Sequence, residues 1–418
     1  MHNYYKRISL NLFSLLTVQF FSNLLPIIIL PYILRIVGLE KYGVTCLLFA
    51  SINYFSTFVD YGYTLTAVRE VSISRNNLLK LQEIYNKVMS IRLLLCIVGL
   101  LVLNIFIFFN NGTFFFLLNT TYLYVFAQNL FPVWFFQGVE NLKLISTLSL
   151  IGKILYGLLI FLIVRSENDY IYINLLNSVC ILVIAIYANI EIRSKYDIIF
   201  KFITFKKLKL YLISNFNISL SFFLQSVYIN SNLIVLGYVG SAAMVGYYNL
   251  ADKILGLARQ LLSVIFNATY STLCSITNEY NALAVNKYIA KMIFVLFTLF
   301  SLLSLFIFFL SDQIVTVVNG TMDSQASNVL RILAFVPVVV ALNLPFNQIL
   351  LAYERNNQYL LTFWLASIVN LVINFMIVPK FFHIGSAISC LVTELLVTII
   401  LMIFSVDVLK KNFLTSIN

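Results

Sequence analysis

Ionisable side chains stand inside runs that are otherwise apolar: Arg35, Asp60, Lys153, Asp252, Lys253, Arg259, Arg331 and Glu394. A charge at the bilayer midplane costs about 2.5–3.5 kcal/mol on insertion scales, so it normally faces a cavity or a partner. Asp252 and Arg259 are seven residues apart and share a helix face, with Lys253 about 100° round. Lys153 lies near the middle of its run, Asp60 in the inner half of another, and Glu394 in the last. Pairing between neighbouring helices accounts for any one of these charges equally well. Arg35 and Arg331 stand near run ends, where snorkelling to the outer interface is the plainer reading.

Neutral polar residues recur at helical spacing in the same runs. Asn53, Thr57, Asp60 and Thr64 form one face; Ser221, Gln225, Tyr228 and Asn232 another; Ser367, Asn370 and Asn374 a third; Gln19, Asn23 and Pro26 a fourth. One such face is often only interhelical hydrogen bonding, worth about 0.6 kcal/mol per pair. Four together favour a wet cavity.

The elements carrying these residues are set by composition. The chain has 418 residues, 61% hydrophobic and 10% charged, against roughly a quarter charged in soluble domains. Runs long enough to cross a bilayer as helices alternate with short polar breaks. The reading is an all-α integral membrane protein with about twelve spans: 9–36, 43–66, 90–109, 114–136, 145–164, 170–190, 212–238, 244–273, 289–310, 328–352, 358–379 and 385–405. Strands of a membrane barrel would be about 10 residues and alternate. The first run is too long for a signal-peptide core and is expected to stay as a span. The cysteines, Cys46, Cys96, Cys180, Cys274 and Cys390, all lie in apolar runs and read as small buried hydrophobes.

Net charge is +11, and its placement argues for topology rather than nucleic acid. With the N-terminus cytoplasmic, most Lys and Arg fall on inner segments, leaving Arg35, Lys41, Arg165 and Lys380 outside. An even number of spans then puts both termini in the cytoplasm. The longest inner segment, 192–211, carries Arg193, Lys195, Lys201, Lys206, Lys207 and Lys209. It divides an N-terminal six-helix lobe, 1–191, from a C-terminal one, 212–418, as parallel-topology pseudo-repeats.

The stretch Asn129 to Glu140 contains Pro132, Trp134, Gln137, Gly138 and Glu140 as a structural motif. Asn343 to Glu354 echoes it, with Asn and Glu again eleven apart and a proline just after the Asn. The expectation is one structural unit used twice. No HExxH, GxSxG, P-loop or dinucleotide fingerprint is present, and the histidines are His2 and His383 alone. An enzyme is not expected, nor a metal or a cofactor.

Five stretches carry a family resemblance: Leu25-Pro26 to Pro31-Tyr32 with Gly38 and Gly43; Asp60-Tyr61-Gly62 with Arg69; Pro132 to Glu140; Gly246-Tyr247-Tyr248 with Ala251 and Lys253; and Asn370, Asn374 and Pro379 with Gly385, Ala387 and Glu394. In this order they resemble bacterial O-antigen flippases, the Wzx-type polysaccharide biosynthesis membrane proteins of the multidrug/oligosaccharidyl-lipid/polysaccharide exporter superfamily. His383 stands where such sequences commonly have Gly, and Thr272-Leu273 lacks a common Pro.

The resemblance implies two six-helix lobes around a cavity that opens alternately to each side of the inner membrane. Its substrate would be an oligosaccharide on undecaprenyl diphosphate. Lys153, Lys253 and Arg259 would meet the diphosphate, with Arg35 and Arg331 on the outer side. Asp60, Asp252 and Glu394 would be coupling carboxylates, and Asn53, Gln225, Asn232, Asn370 and Asn374 polar lining. Other partners would be membrane lipids and further glycan-assembly membrane proteins. Alternatives are a drug/cation antiporter of the same superfamily, a lipid II flippase and, from another class, a membrane glycan polymerase.

Overall fold

In hydrocarbon every backbone N–H and C=O must find its partner inside the segment, so long apolar runs fold as helices. The computed structural model describes residues 2–109, 113–279, 282–353 and 355–415. Among the described residues every regular element is helical. Contacts group the chain into two units, Met1–Ser226 and Val227–Asn418.

The first unit contains α1 (His2–Asp60), α2 (Tyr63–Ser74), α3 (Leu78–Phe109), α4 (Thr113–Thr121), α5 (Leu123–Leu130), α6 (Val133–Gly138), α7 (Leu142–Ile163), α8 (Tyr170–Tyr196) and the start of α9 (Phe205–Val239). The second holds the rest of α9, then α10 (Ala242–Glu279), α11 (Ala282–Phe309), α12 (Ser311–Asn319), α13 (Ser324–Leu333), α14 (Val336–Ala352) and α15 (Asn356–Thr415). Seven stretches among the described residues are long and apolar enough to cross a membrane, so this is a multi-pass membrane protein.

Helix ends are set by a few backbone positions. Gly38, at φ 78° and ψ 160°, breaks α1 where a turn between two spans was expected. Phe382, at φ 48° and ψ −124°, breaks α15. Tyr61 and Gly62 at φ 52° and 75° separate α1 from α2. The expected span 43–66 is therefore interrupted, and Thr64 stands in the first turn of a new helix rather than extending the face of Asn53 and Thr57. Left-handed geometry cannot propagate a right-handed helix.

The repeated motif is not one unit used twice. Phe131 is extended (φ −72°, ψ 111°), ending α5, and Pro132 then opens the short α6. Pro345 instead lies inside α14, which continues to Ala352. A residue before proline is pushed out of the helical region unless packing holds it; that happens at Phe131 and not at Leu344. Glu354 lies outside the described residues.

Between α8 and α9 the basic segment narrows to a non-helical stretch, 197–204. A ladder of side chains on α3 supplies its missing backbone partners. Gln82 donates to the Ile199 carbonyl (2.5 Å) and accepts from its N–H (3.0 Å). Asn86 accepts from Lys201 N–H (2.8 Å) and Ser90 from Ile203 N–H (3.1 Å). Spaced four apart, these three side chains share one helix face.

The first unit's core gathers on α6. Trp134, Phe135 and Phe136 are buried, with Phe135 edge-on to Phe136 at 5.8 Å and to Tyr196 at 5.2 Å. Gly138 allows α6 to meet α2: a Cβ there would sit 2.5 Å from Val71 Cβ. Cys46, Cys96, Cys180 and Cys390 are buried free thiols, as expected; the Cys274 side chain is outside the described residues. Gly138→Ala should lower unfolding stability by about 1–3 kcal/mol through overpacking. Thermal unfolding in detergent should show Val71→Ala restoring part of the loss.

Candidate functional site

In the first unit, Arg92 of α3 is buried, 3% exposed. It reads from sequence as one more basic residue at the inner end of a span. Its Nη2 instead donates to Asp60 Oδ1, a close ion pair, and to Thr64 Oγ1 at 3.3 Å. Its Nη1 donates to the Asn129 carbonyl at 3.2 Å. Asp60 also accepts from Thr64 Oγ1 at 2.6 Å, and Asn129 Nδ2 bonds the Val125 carbonyl at 3.0 Å. One guanidinium thus joins α1, α2, α3 and α5 where the chain has left helical geometry. The clue in the sequence was an unpaired aspartate at an apolar depth; no local spacing connects it to position 92.

The other candidate residues expected in this unit lie on several helices. Lys153 is half-buried on α7, and Arg35 is exposed on α1. Asn53 is half-buried on α1 and Gln225 on α9. Glu140, at φ 61°, pairs with Arg75 at 2.7 Å on an exposed face. Gln137 is exposed and Pro132 buried.

The second unit gathers more of the expected residues. Arg259 Nη1 meets Asp252 Oδ1 at 2.9 Å within α10. Glu394 of α15 lies within electrostatic reach of Arg259, and accepts from Tyr228 and from Asn343 Nδ2 at 3.3 Å. The result is one guanidinium against two carboxylates, with neutral donors on α9 and α14. Lys253, next in sequence, is exposed.

Beside this charged set lies a neutral amide knot. Asn374 Nδ2 donates to Asn232 Oδ1 at 2.7 Å and to Asn370 Oδ1 at 2.9 Å. Asn370 Nδ2 donates to Thr393 Oγ1 at 3.0 Å, and Ser231 Oγ donates to Asn370 Oδ1. Asn232 Nδ2 reaches Tyr248 Oη at 3.1 Å. Helical spacing placed Asn232, Asn370 and Asn374 on polar faces but did not show that the faces meet. Thr393 was not anticipated, and Tyr248 stood only within a family motif, with no role at the site.

Arg331 of α13 binds Asp312 of α12 at 2.6 Å and Asn328 at 3.0 Å. It is an anchored residue rather than a loose snorkelling one. Among the described residues no three His, Cys, Asp or Glu converge as metal ligands. The Ser221, Gln19 and Asn23 side chains lie outside the described residues.

Removing one partner of a buried ion pair leaves the other uncompensated, at about 3–5 kcal/mol. Arg92→Leu should therefore destabilise the protein strongly, while Arg92→Leu with Asp60→Leu should recover most of the loss. A double-mutant cycle on thermal unfolding checks this; equal losses in single and double variants contradict it.

Comparison with known proteins places this geometry in context. The chain is 25% identical over 400 residues to the Escherichia coli K12 protein named "Putative O-antigen transporter", covering 94% of this chain and 95% of that one. A Shigella dysenteriae protein of the same name is 25% identical over 398 residues, covering 94% and 98%. In three dimensions it is similar to an inward-facing MATE-family multidrug transporter of the MOP superfamily, with TM-score 0.73, 14% identity and coverage of 93% and 96%. It is also similar to the lipid II flippase MurJ in an inward closed conformation, with TM-score 0.72, 14% identity and coverage of 97% and 91%. At such identity these likenesses establish a shared fold. Residues 9–277 match the family described as "Polysaccharide biosynthesis protein", and the chain belongs to that family.

Proposed function

We propose that the protein is a flippase for an undecaprenyl-diphosphate-linked oligosaccharide, an O-antigen or capsular repeat unit. It would carry this substrate from the cytoplasmic to the outer leaflet of a bacterial inner membrane by alternating access, through twelve spans with both termini cytoplasmic. Family membership, the names of the two bacterial relatives and the transporter fold support a transporter rather than an enzyme. The observation that carries the reading is the polar set at membrane depth in the second unit: Arg259, Asp252, Glu394 and the amide knot.

The chemistry fits the cargo. A buried hydroxyl without a partner costs roughly 2–7 kcal/mol, so a sugar repeat unit does not cross hydrocarbon unaided. Hydroxyls and amides lining a path replace its water. The diphosphate calls for cations, and Lys153, Lys253 and Arg259 are the candidates, with Arg35 and Arg331 toward the outer side. An inside-negative potential favours outward movement of an anion by about 2.3 kcal/mol per charge per 100 mV. Asp252 and Glu394 share one guanidinium, which suits a site that exchanges H+ or Na+ during the cycle. Asp60 is held by Arg92 and fits a structural part better.

The test uses glycan-producing cells lacking this chain. The lipid-linked repeat unit should accumulate on the inner face of the cytoplasmic membrane, and the chain should restore surface polysaccharide. Accumulation of single units on the outer face would place the missing step after translocation and reject the reading. Lys153→Ala and Arg259→Ala should each impair export while membrane insertion is unchanged; full export by both rejects the diphosphate assignment.

A further inference from the structure

A cavity of about 320 Å³ opens in the first unit, between the C-terminal half of α2, the start of α3 and the first turns of α9. Its polar lining comprises Glu70, Ser74, Lys80, Glu83, Lys87 and Tyr211. Two carboxylates and two ammonium groups give no formal net charge. A bare anion such as a diphosphate would meet both glutamates, and a bare cation both lysines. A ligand carrying both signs meets neither objection.

The floor of the cavity is already settled. Lys87 Nζ is held by both Glu70 oxygens, at 2.7 and 2.6 Å. It also lies 5.6 Å from the Tyr63 ring centroid and 5.1 Å from that of Tyr211. Burial, then Glu83, then Glu70, push the Tyr211 hydroxyl above the usual tyrosine range, so it stays neutral, with its oxygen able to accept. Lys80 and Glu83 remain. They stand three apart on α3, both exposed, and form no ion pair among the described residues. They offer one cation and one anion at helix-neighbour distance.

The surroundings are those of a membrane interface. The membrane-span candidate Leu78–Ile105 of α3 opens on a charged end, with Lys80, Glu83 and Lys87 ahead of its apolar run. Ile73, which lines the cavity, is 75% exposed, and Leu78 and Leu79 in the next turn are 57% and 84% exposed. Exposed aliphatic side chains beside paired charges match the boundary between acyl chains and headgroups.

We propose that this cavity binds the headgroup of a phosphoethanolamine phospholipid from the surrounding bilayer. Glu83 and Tyr211 receive its primary ammonium. Lys80 and Ser74 donate to its phosphate. Ile73 packs on the start of an acyl chain. A primary ammonium has N–H groups to give Glu83, whereas the quaternary ammonium of a choline lipid has none, so the ethanolamine lipid binds more tightly. The site does not depend on what the protein transports, and its test does not involve export.

The test is native mass spectrometry of the delipidated full chain, titrated separately with phosphatidylethanolamine, phosphatidylcholine and phosphatidylglycerol. Glu83→Gln and Lys80→Gln are titrated in parallel, with thermal unfolding to confirm that these exposed substitutions leave the fold intact. Phosphatidylethanolamine should bind most tightly. Glu83→Gln should weaken it roughly two- to fivefold, the scale of an exposed ion pair, without weakening phosphatidylcholine. Lys80→Gln should weaken both. Equal binding of ethanolamine and choline lipids, tighter binding of phosphatidylglycerol, or ethanolamine-lipid binding indifferent to both variants would overturn the proposal. Soluble phosphoethanolamine binding as tightly as the lipid would show a free metabolite as the ligand and overturn the lipid assignment.

Discussion

A charge placed in a low-dielectric interior must be paired, or it costs the fold about 3–5 kcal/mol. Arg92 shows how much structure that demand organises. Its guanidinium reaches Asp60, Thr64 and the Asn129 carbonyl. All three stand where helices stop or start: the last residue of α1, the first turn of α2 and the end of α5. The left-handed pair Tyr61 and Gly62 turns the chain between them. Beyond the turn, α2 runs to the face of α6 that only Gly138 lets it approach. The aromatic core on α6 packs against other helices, Tyr85 of α3 and Tyr196 of α8.

The second unit meets the same demand differently. Its knot of Asn232, Asn370, Asn374 and Thr393 is neutral and mutually hydrogen-bonded. It ties α9 to both arms of α15, across the break at Phe382. A neutral network needs no counter-charge and rigidifies the helices it joins. The charged set beside it is less self-contained. Arg259 is bonded to Asp252, while Glu394 is held by Tyr228 and Asn343, which are neutral. In the Arg92 cluster, by contrast, the one carboxylate is bonded directly to the guanidinium, whose buried Nε is left without a partner.

What the sequence disclosed follows from which signals are local. Apolar runs of bilayer length announced an all-helical membrane protein, and Gly38 marked a break that the structure contains. Asn232, Asn370 and Asn374 could be placed on polar faces because helical periodicity is a property of one segment. Their meeting could not, since it depends on how α9 and α15 pack. Asp60 was visible as a charge needing an explanation, but its partner, Arg92, lay 32 residues away and resembled a topology-setting residue. The echo between Asn129–Glu140 and Asn343–Glu354 misled because proline either ends a helix or is carried within it. Packing around Phe131 and Leu344 decides which, and composition does not record packing.

The most direct measurement of the central claim is translocation by the purified chain in vesicles. Labelled undecaprenyl-diphosphate-linked oligosaccharide would be distributed over both leaflets, and a glycan-cleaving enzyme added outside would report the externally accessible share. With the protein present, cleavage should pass the plateau of protein-free vesicles and approach completion as inner-leaflet molecules are brought out. Cleavage that stops at the protein-free plateau, in vesicles where the chain is folded and inserted, would contradict the flippase account.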